Sequence, residues 1–249
     1  MKSYEEMAQR VMIRGEAMRE RSRSMKKKMI MLCITVVVCT LFAGTVVIAV
    51  TNPNVFNSDI FYQAGQFFKE AQNDNDKAIQ VILAKYDGNP ITAATVRNCR
   101  NMNILRSEDA AAEYDTDLDV INKIIENMIL LEEAERRGLL ATEDEIEMMI
   151  NNTIKAYSLP DGKKMLDSFL EGAEITFEEY LTVIRTVAPS TIARQKVLNT
   201  VVQEYCEENG LNFKTMNDQL IAVQKAYIET LFEQNKHKIE YGIGILSKS

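Results

Sequence analysis

Residues 29–50 contain no Asp, Glu, Lys, Arg or His across 22 consecutive positions. Wound as one helix, such a run is about 33 Å long, enough to cross a hydrocarbon core. A secretory signal peptide has a shorter apolar region, roughly 7–15 residues, close to the N-terminus. Here 28 strongly polar residues come first. The exit "VVIAVTNPN" offers only a weak small-residue cleavage site around Ala49. Neither Cys33, after "IML", nor Cys39, after "VVV", has the small upstream residue that lipoprotein processing needs. A buried core helix is the alternative, and the three lysines Lys26–Lys28 at its border argue against it. The run is therefore expected to be an uncleaved single-pass anchor.

The flanks predict its orientation. Residues 1–28 carry nine Lys/Arg against four Glu, whereas 51–64 holds one charged residue, Asp59. Basic flanks stay cytoplasmic, which predicts an extracytoplasmic location for everything after residue 50. Of the chain's 29 basic and 36 acidic residues, 20 and 32 then fall outside the tail, a net charge of −12. So acidic a domain is a poor partner for nucleic acid or an anionic membrane surface. Cys99 and Cys206 are the two cysteines beyond the anchor; they form one bridge or two buried thiols, and spacing does not decide between them. No Cys/His cluster has metal-ligand spacing, and no cofactor is expected. Asn151-Asn152-Thr153 fits a glycosylation acceptor, a pattern common by chance.

Four regions follow: a basic tail (1–28), the anchor (29–50), a juxtamembrane linker with a short helix (51–77) and a mainly helical domain (78–249). In "AIQVILAKYDGNPIT", Val81–Tyr86 suits a strand, Asp87-Gly88-Asn89-Pro90 a turn, and Thr92 a helix cap. A helix opens near Asp117, with an apolar face of Leu118, Ile121, Ile125 and Met128 widened by Ile124 and Leu131, and Gly138 as its stop. Arg136 and Arg137 in its last turn suit the helix dipole. Thr142 with Glu145, and Thr176 with Glu179, are capping boxes for two further helices. Pro160 and Gly162 are expected to end the first of these, and a short helix around Met165–Leu170 comes next. Pro189 is expected to interrupt the second before it resumes toward Asn209-Gly210. Met216, Leu220, Val223, Tyr227 and Leu231 mark a last helix, and "HKIEYGIGIL" has strand character. One early and one late strand invite a two-stranded pairing.

The segments "VILAKYDGNPIT", "VINKIIENMILLEEAERRGLLATEDEIEMMI" and "ITFEEYLTVIR" resemble, in order, the N-terminal chaperone region of the SurA, PrsA and PpiD family, and "YIETLFEQNKHKIEY" is similar to its closing helix and strand. The resemblance runs over roughly residues 78–241 and rests on apolar spacing plus Gly88 and Gly138. It implies a holdase: a helical cradle that binds unfolded or nascent exported polypeptides, beside the export machinery. Family members commonly insert a parvulin-type prolyl isomerase domain between the last two long helices. That gap is here about Glu208 to Thr215, the chain's one histidine is His237, and no "GGDLG" run is present, so the chain is expected to lack isomerase activity. The resemblance points to Met148, Met149, Tyr157, Leu159, Phe169, Phe177 and Tyr180 as candidate client-binding residues, against the plain alternative that apolar residues at helical spacing form the core.

An enzyme is the first rival class, but no nucleophile elbow, phosphate loop or metal motif is present. Glu178-Glu179 is capping material, and "EEAERR" and "EDEIE" suit solvated faces. The second rival is a signalling or scaffold protein serving one dedicated partner. Met7, Val11, Met18 and Met25 among arginines suit a basic amphipathic helix in the tail, whose plainer role is to set orientation.

Overall fold

A computed structural model describes residues 58–74, 81–102, 116–211 and 218–242. The basic tail, the candidate anchor, Phe56, Asp115, Met216, the second half of "QNDNDK" and most of "GIGIL" lie outside the described residues. Among the described residues are seven helices and one small antiparallel sheet, and no helix is long and apolar enough to cross a membrane.

The sheet begins with β1 (Ile82–Tyr86) and β2 (Asn89–Thr92). Between them lies a two-residue turn, Asp87-Gly88, with φ of 48° and 75°. Positive φ at both positions matches the twist of a hairpin, and Gly88 adopts it without a Cβ penalty. The expected four-residue turn is therefore shorter. Asn89 and Pro90 instead open β2, an edge strand where proline is tolerated. The late strand β3 (Ile239–Tyr241) pairs antiparallel with the other side of β1, with Lys85 opposite Glu240. The Asp87 N–H donates to the Lys238 carbonyl at 2.9 Å, and the Gly242 N–H to the Leu83 carbonyl at 2.7 Å. The early–late pairing thus forms within a three-stranded sheet ordered β2-β1-β3 rather than a two-stranded one.

Two cores organise the helices. The first, the sheet lobe, combines the inward faces of the sheet with α2 (Ala93–Asn101), α3 (Asp117–Arg137), the middle of α6 (Phe177–Glu208) and α7 (Asp218–Asn235). Ile121, Ile124, Ile125 and Ile129 fill its centre, while Leu118 and Met128 lie toward the margin of the expected stripe. The second, the helical lobe, packs α1 (Ser58–Asp74), α4 (Glu143–Tyr157), α5 (Pro160–Ala173) and the first half of α6 around Phe68, Phe169 and Tyr180. The Phe169 ring centroid is 5.6 Å from those of both Phe68 and Tyr180.

Much of the region expected to be a linker is α1, and it belongs to this second core. Phe61, Ala64, Gly65 and Phe68 form its buried stripe. It crosses α5 backbone to backbone: a Cβ at Gly65 would overlap the Phe169 carbonyl oxygen and sit 2.6 Å from the Ala173 nitrogen, and a Cβ at Gly172 would overlap the Tyr62 carbonyl oxygen. Only paired glycines permit this approach.

Three helix ends differ from expectation or add to it. Pro160 occupies the first turn of α5 rather than ending the preceding unit, because proline lacks only an N–H that is unpaired there anyway. Pro189 does not interrupt α6, which runs unbroken for 32 residues. Val187 and Ala188 before it and Ala193 and Val197 after it are fully buried, and that burial offsets a proline cost of about 3 kcal/mol. Thr116 with Asp119 forms a third capping box, at the start of α3, besides those at Thr142 and Thr176. Cys99 packs in the sheet lobe and Cys206 in a small third cluster with Val202 and Leu220; both are buried thiols that do not bridge to each other.

Candidate functional site

All seven candidate client-binding residues fall in the helical lobe, but they do not form one surface. Phe169 and Tyr180 are fully buried between α1, α5 and α6, so as candidate contacts they are corrected to core residues. Met149 is half-buried against the same core. Met148 is 61% exposed and Leu159 62% exposed. Nine helical steps of 100° separate Met148 from Tyr157, which places them on opposite sides of α4.

Tyr157 and Phe177 do come together. Their rings stack at 4.1 Å with an interplanar angle of 20°. The start of α6 and the end of α4 meet here because the Thr176 capping box sets the direction of Phe177. The Lys163 ammonium lies 4.7 Å from the Tyr157 ring centroid and pairs with Asp167 at 2.8 Å. The Tyr157 hydroxyl also donates to Asp167 at 2.8 Å. Lys163 is held above its usual range chiefly by Asp167, and Asp167 below its own chiefly by Lys163. The result is a fixed, half-exposed aromatic platform with a charged rim and Leu159 beside it in sequence. Ile154, 40% exposed on α4, was not among the expected residues.

A cleft of about 400 Å³ lies along the contact of α3 with α7. Its apolar lining is Ile129 and Leu231. One wall is Glu133, which is 6% exposed. Arg136 donates to Glu133 through Nε at 2.6 Å and Nη2 at 2.5 Å. Arg137 Nε donates to it at 2.6 Å, and so does the Tyr227 hydroxyl at 2.6 Å. Arg137 also reaches Glu204 on α6 at 3.0 Å and Tyr227 on α7 at 2.8 Å. One guanidinium therefore ties three helices. The hydrogen bond from Arg136, aided by Tyr227 and Arg137, holds the Glu133 carboxyl at about 2 although burial opposes it. Burial raises the Tyr227 hydroxyl, with its bond to Glu133 adding to the effect. At the far end, the buried Tyr86 hydroxyl donates to Glu132 at 2.7 Å, and Lys238 reaches the same carboxylate at 3.0 Å.

Arg137 is engaged at all three of its nitrogens, and Glu133 accepts at both oxygens, so this network is a latch between helices. "EEAERR" is therefore only partly a solvated face. The signal was legible in the spacing: Glu133 lies four residues after Ile129 on the buried stripe, with cations three and four positions on. Among the described residues, no group of three His, Cys, Asp or Glu side chains converges as a metal site, and His237 sits exposed on the short turn before β3.

The chain is similar to the foldase protein PrsA of Clostridium perfringens, at 29% identity over 109 residues. The match covers 41% of this chain and 32% of that protein, so it spans about a third of the relative's length. The similarity is distant and partial. No protein-family model and no solved structure matches the chain.

Proposed function

We propose that this protein is a membrane-anchored, extracytoplasmic holdase that binds unfolded exported polypeptides and has no prolyl isomerase activity. The similarity to a foldase carries this reading. The helical lobe supports it by offering the Tyr157–Phe177 platform with Ile154 and Leu159 as exposed apolar contacts, and Met148 separately on the opposite side of α4. Such adaptable, shallow contacts suit clients of varied sequence. The acidic net charge keeps a loaded chaperone soluble, and the anchor raises its local concentration where chains emerge. The short connection between α6 and α7 and the exposed, solitary His237 support the absence of an isomerase site in this chain.

The test is light scattering from a chemically unfolded client, with the full chain in nanodiscs added at increasing ratio. Suppression of aggregation at near-equimolar ratio is expected, weakened several-fold by Leu159→Glu together with Tyr157→Ser. A folded protein that leaves aggregation unchanged would rule out general chaperoning. A proline-limited peptide assay on the same sample is expected to stay at the uncatalysed rate.

A further inference from the structure

We infer that the helical lobe, in which α1 is firmly seated, is the membrane-facing end of the molecule. The inference rests on the anchor reading of residues 29–50. Only residues 51–57 separate that run from Ser58, the first residue of α1. Seven residues span at most about 25 Å when fully extended. A compact chain of about 190 residues is about 40 Å across. The tether is thus shorter than the domain, and the lobe that carries α1 has to lie on the bilayer side.

The seat of α1 fixes which lobe the anchor leads into. The Gly65–Gly172 crossing leaves no room for a side chain between α1 and α5. Phe61, Ala64 and Phe68 are buried alongside it, and Lys69 closes on Glu174 at 2.5 Å. Helix α1 therefore moves with the lobe that bears the Tyr157–Phe177 platform and Leu159. The exposed apolar side chains of the proposed client surface are carried close to the exit point, while β1–β3 and α7 stand farther out.

The experiment places a fluorescent donor at Gln63 on α1 or at Glu229 on α7, both exposed, in the full chain reconstituted into vesicles with acceptor-labelled headgroups. Transfer from Gln63 is expected to be at least twofold more efficient than from Glu229. Equal or reversed efficiencies would overturn the inference. Gly172→Val, which unseats α1, is expected to broaden the distribution of distances from a donor at Lys164 on α5; an unchanged distribution would show that the seat does not set the orientation. Carbonate extraction of the same vesicles separates the two levels. A chain that stays with the lipid but shows no difference between the sites refutes the orientation alone. A chain released by carbonate refutes the anchor, and the orientation with it.

Discussion

In the helical lobe two helices meet backbone on backbone, and no charged side chain among the described residues is buried. In the sheet lobe, beside a shared apolar core, Glu133 and Arg137 of α3 reach Tyr227 on α7 and Glu204 on α6 along the edge of a cleft of about 400 Å³. Both arrangements fix a helix in place, by opposite means. At Gly65 and Gly172 the missing side chains let dispersion act across the full crossing. At Glu133, on the rim of the sheet-lobe core, hydrogen bonds to charged groups join α3 to α6 and α7. One lobe should therefore respond to volume and the other to charge.

The largest effect is expected from Glu133→Ala, about 3 kcal/mol, because it removes the buried carboxylate to which Arg136, Arg137 and the Tyr227 hydroxyl all donate. Urea unfolding measures the loss, and amide exchange should place it in α3 and α7 while α1 and α5 keep their protection. Acid gives the same contrast with a definite sign. Glu133 falls from an ordinary 4.5 to about 2 in the folded state, so the folded form binds fewer protons. Its contribution is complete above about pH 5 and is lost as pH falls toward 2. Glu133→Gln should flatten that part of the pH–stability curve. A sheet lobe no more acid-sensitive than the mutant would remove the distinction between the lobes.

Gly65→Ala comes next, at about 2 kcal/mol, because one methyl group meets the backbone of α5. Exchange should rise across α1 and α5 and leave α3 and α7 alone; equal loosening of both lobes would mean that they fold as one unit. The smallest effect belongs to Thr176→Ala, about 1 kcal/mol, which removes the cap at the start of α6. Its sharper readout is Tyr157 fluorescence, since the turn that aims Phe177 onto that ring is loosened.

What was legible in the chain follows the same line. Signals confined to one turn were readable: the capping boxes at Thr142 and Thr176 and the stop at Gly138 with φ of 68°. Of the signals that depend on a distant partner, the early–late strand pair was readable and the others were not. Gly65 and Gly172 look like ordinary weak points of a helix until they are found facing each other. Pro189 reads as a break because the burial that holds α6 together comes from other elements. Phe169 and Tyr180 have the composition of a binding surface, and only the arrival of α1 turns them into core.

The pairing of β1 with β3 also orders events in time. Lys85 and Glu240 are 155 positions apart, and their strands cannot meet until synthesis has passed Tyr241. Closing so long a loop is slow compared with pairing neighbouring helices. Every residue of the helical-lobe core, from Phe61 to Ala188, emerges earlier. As synthesis proceeds, one half of the molecule has its full complement of partners while the other still waits for its last three-residue strand. A truncation that removes β3 should therefore leave a shortened chain with one ordered lobe and an unfinished sheet.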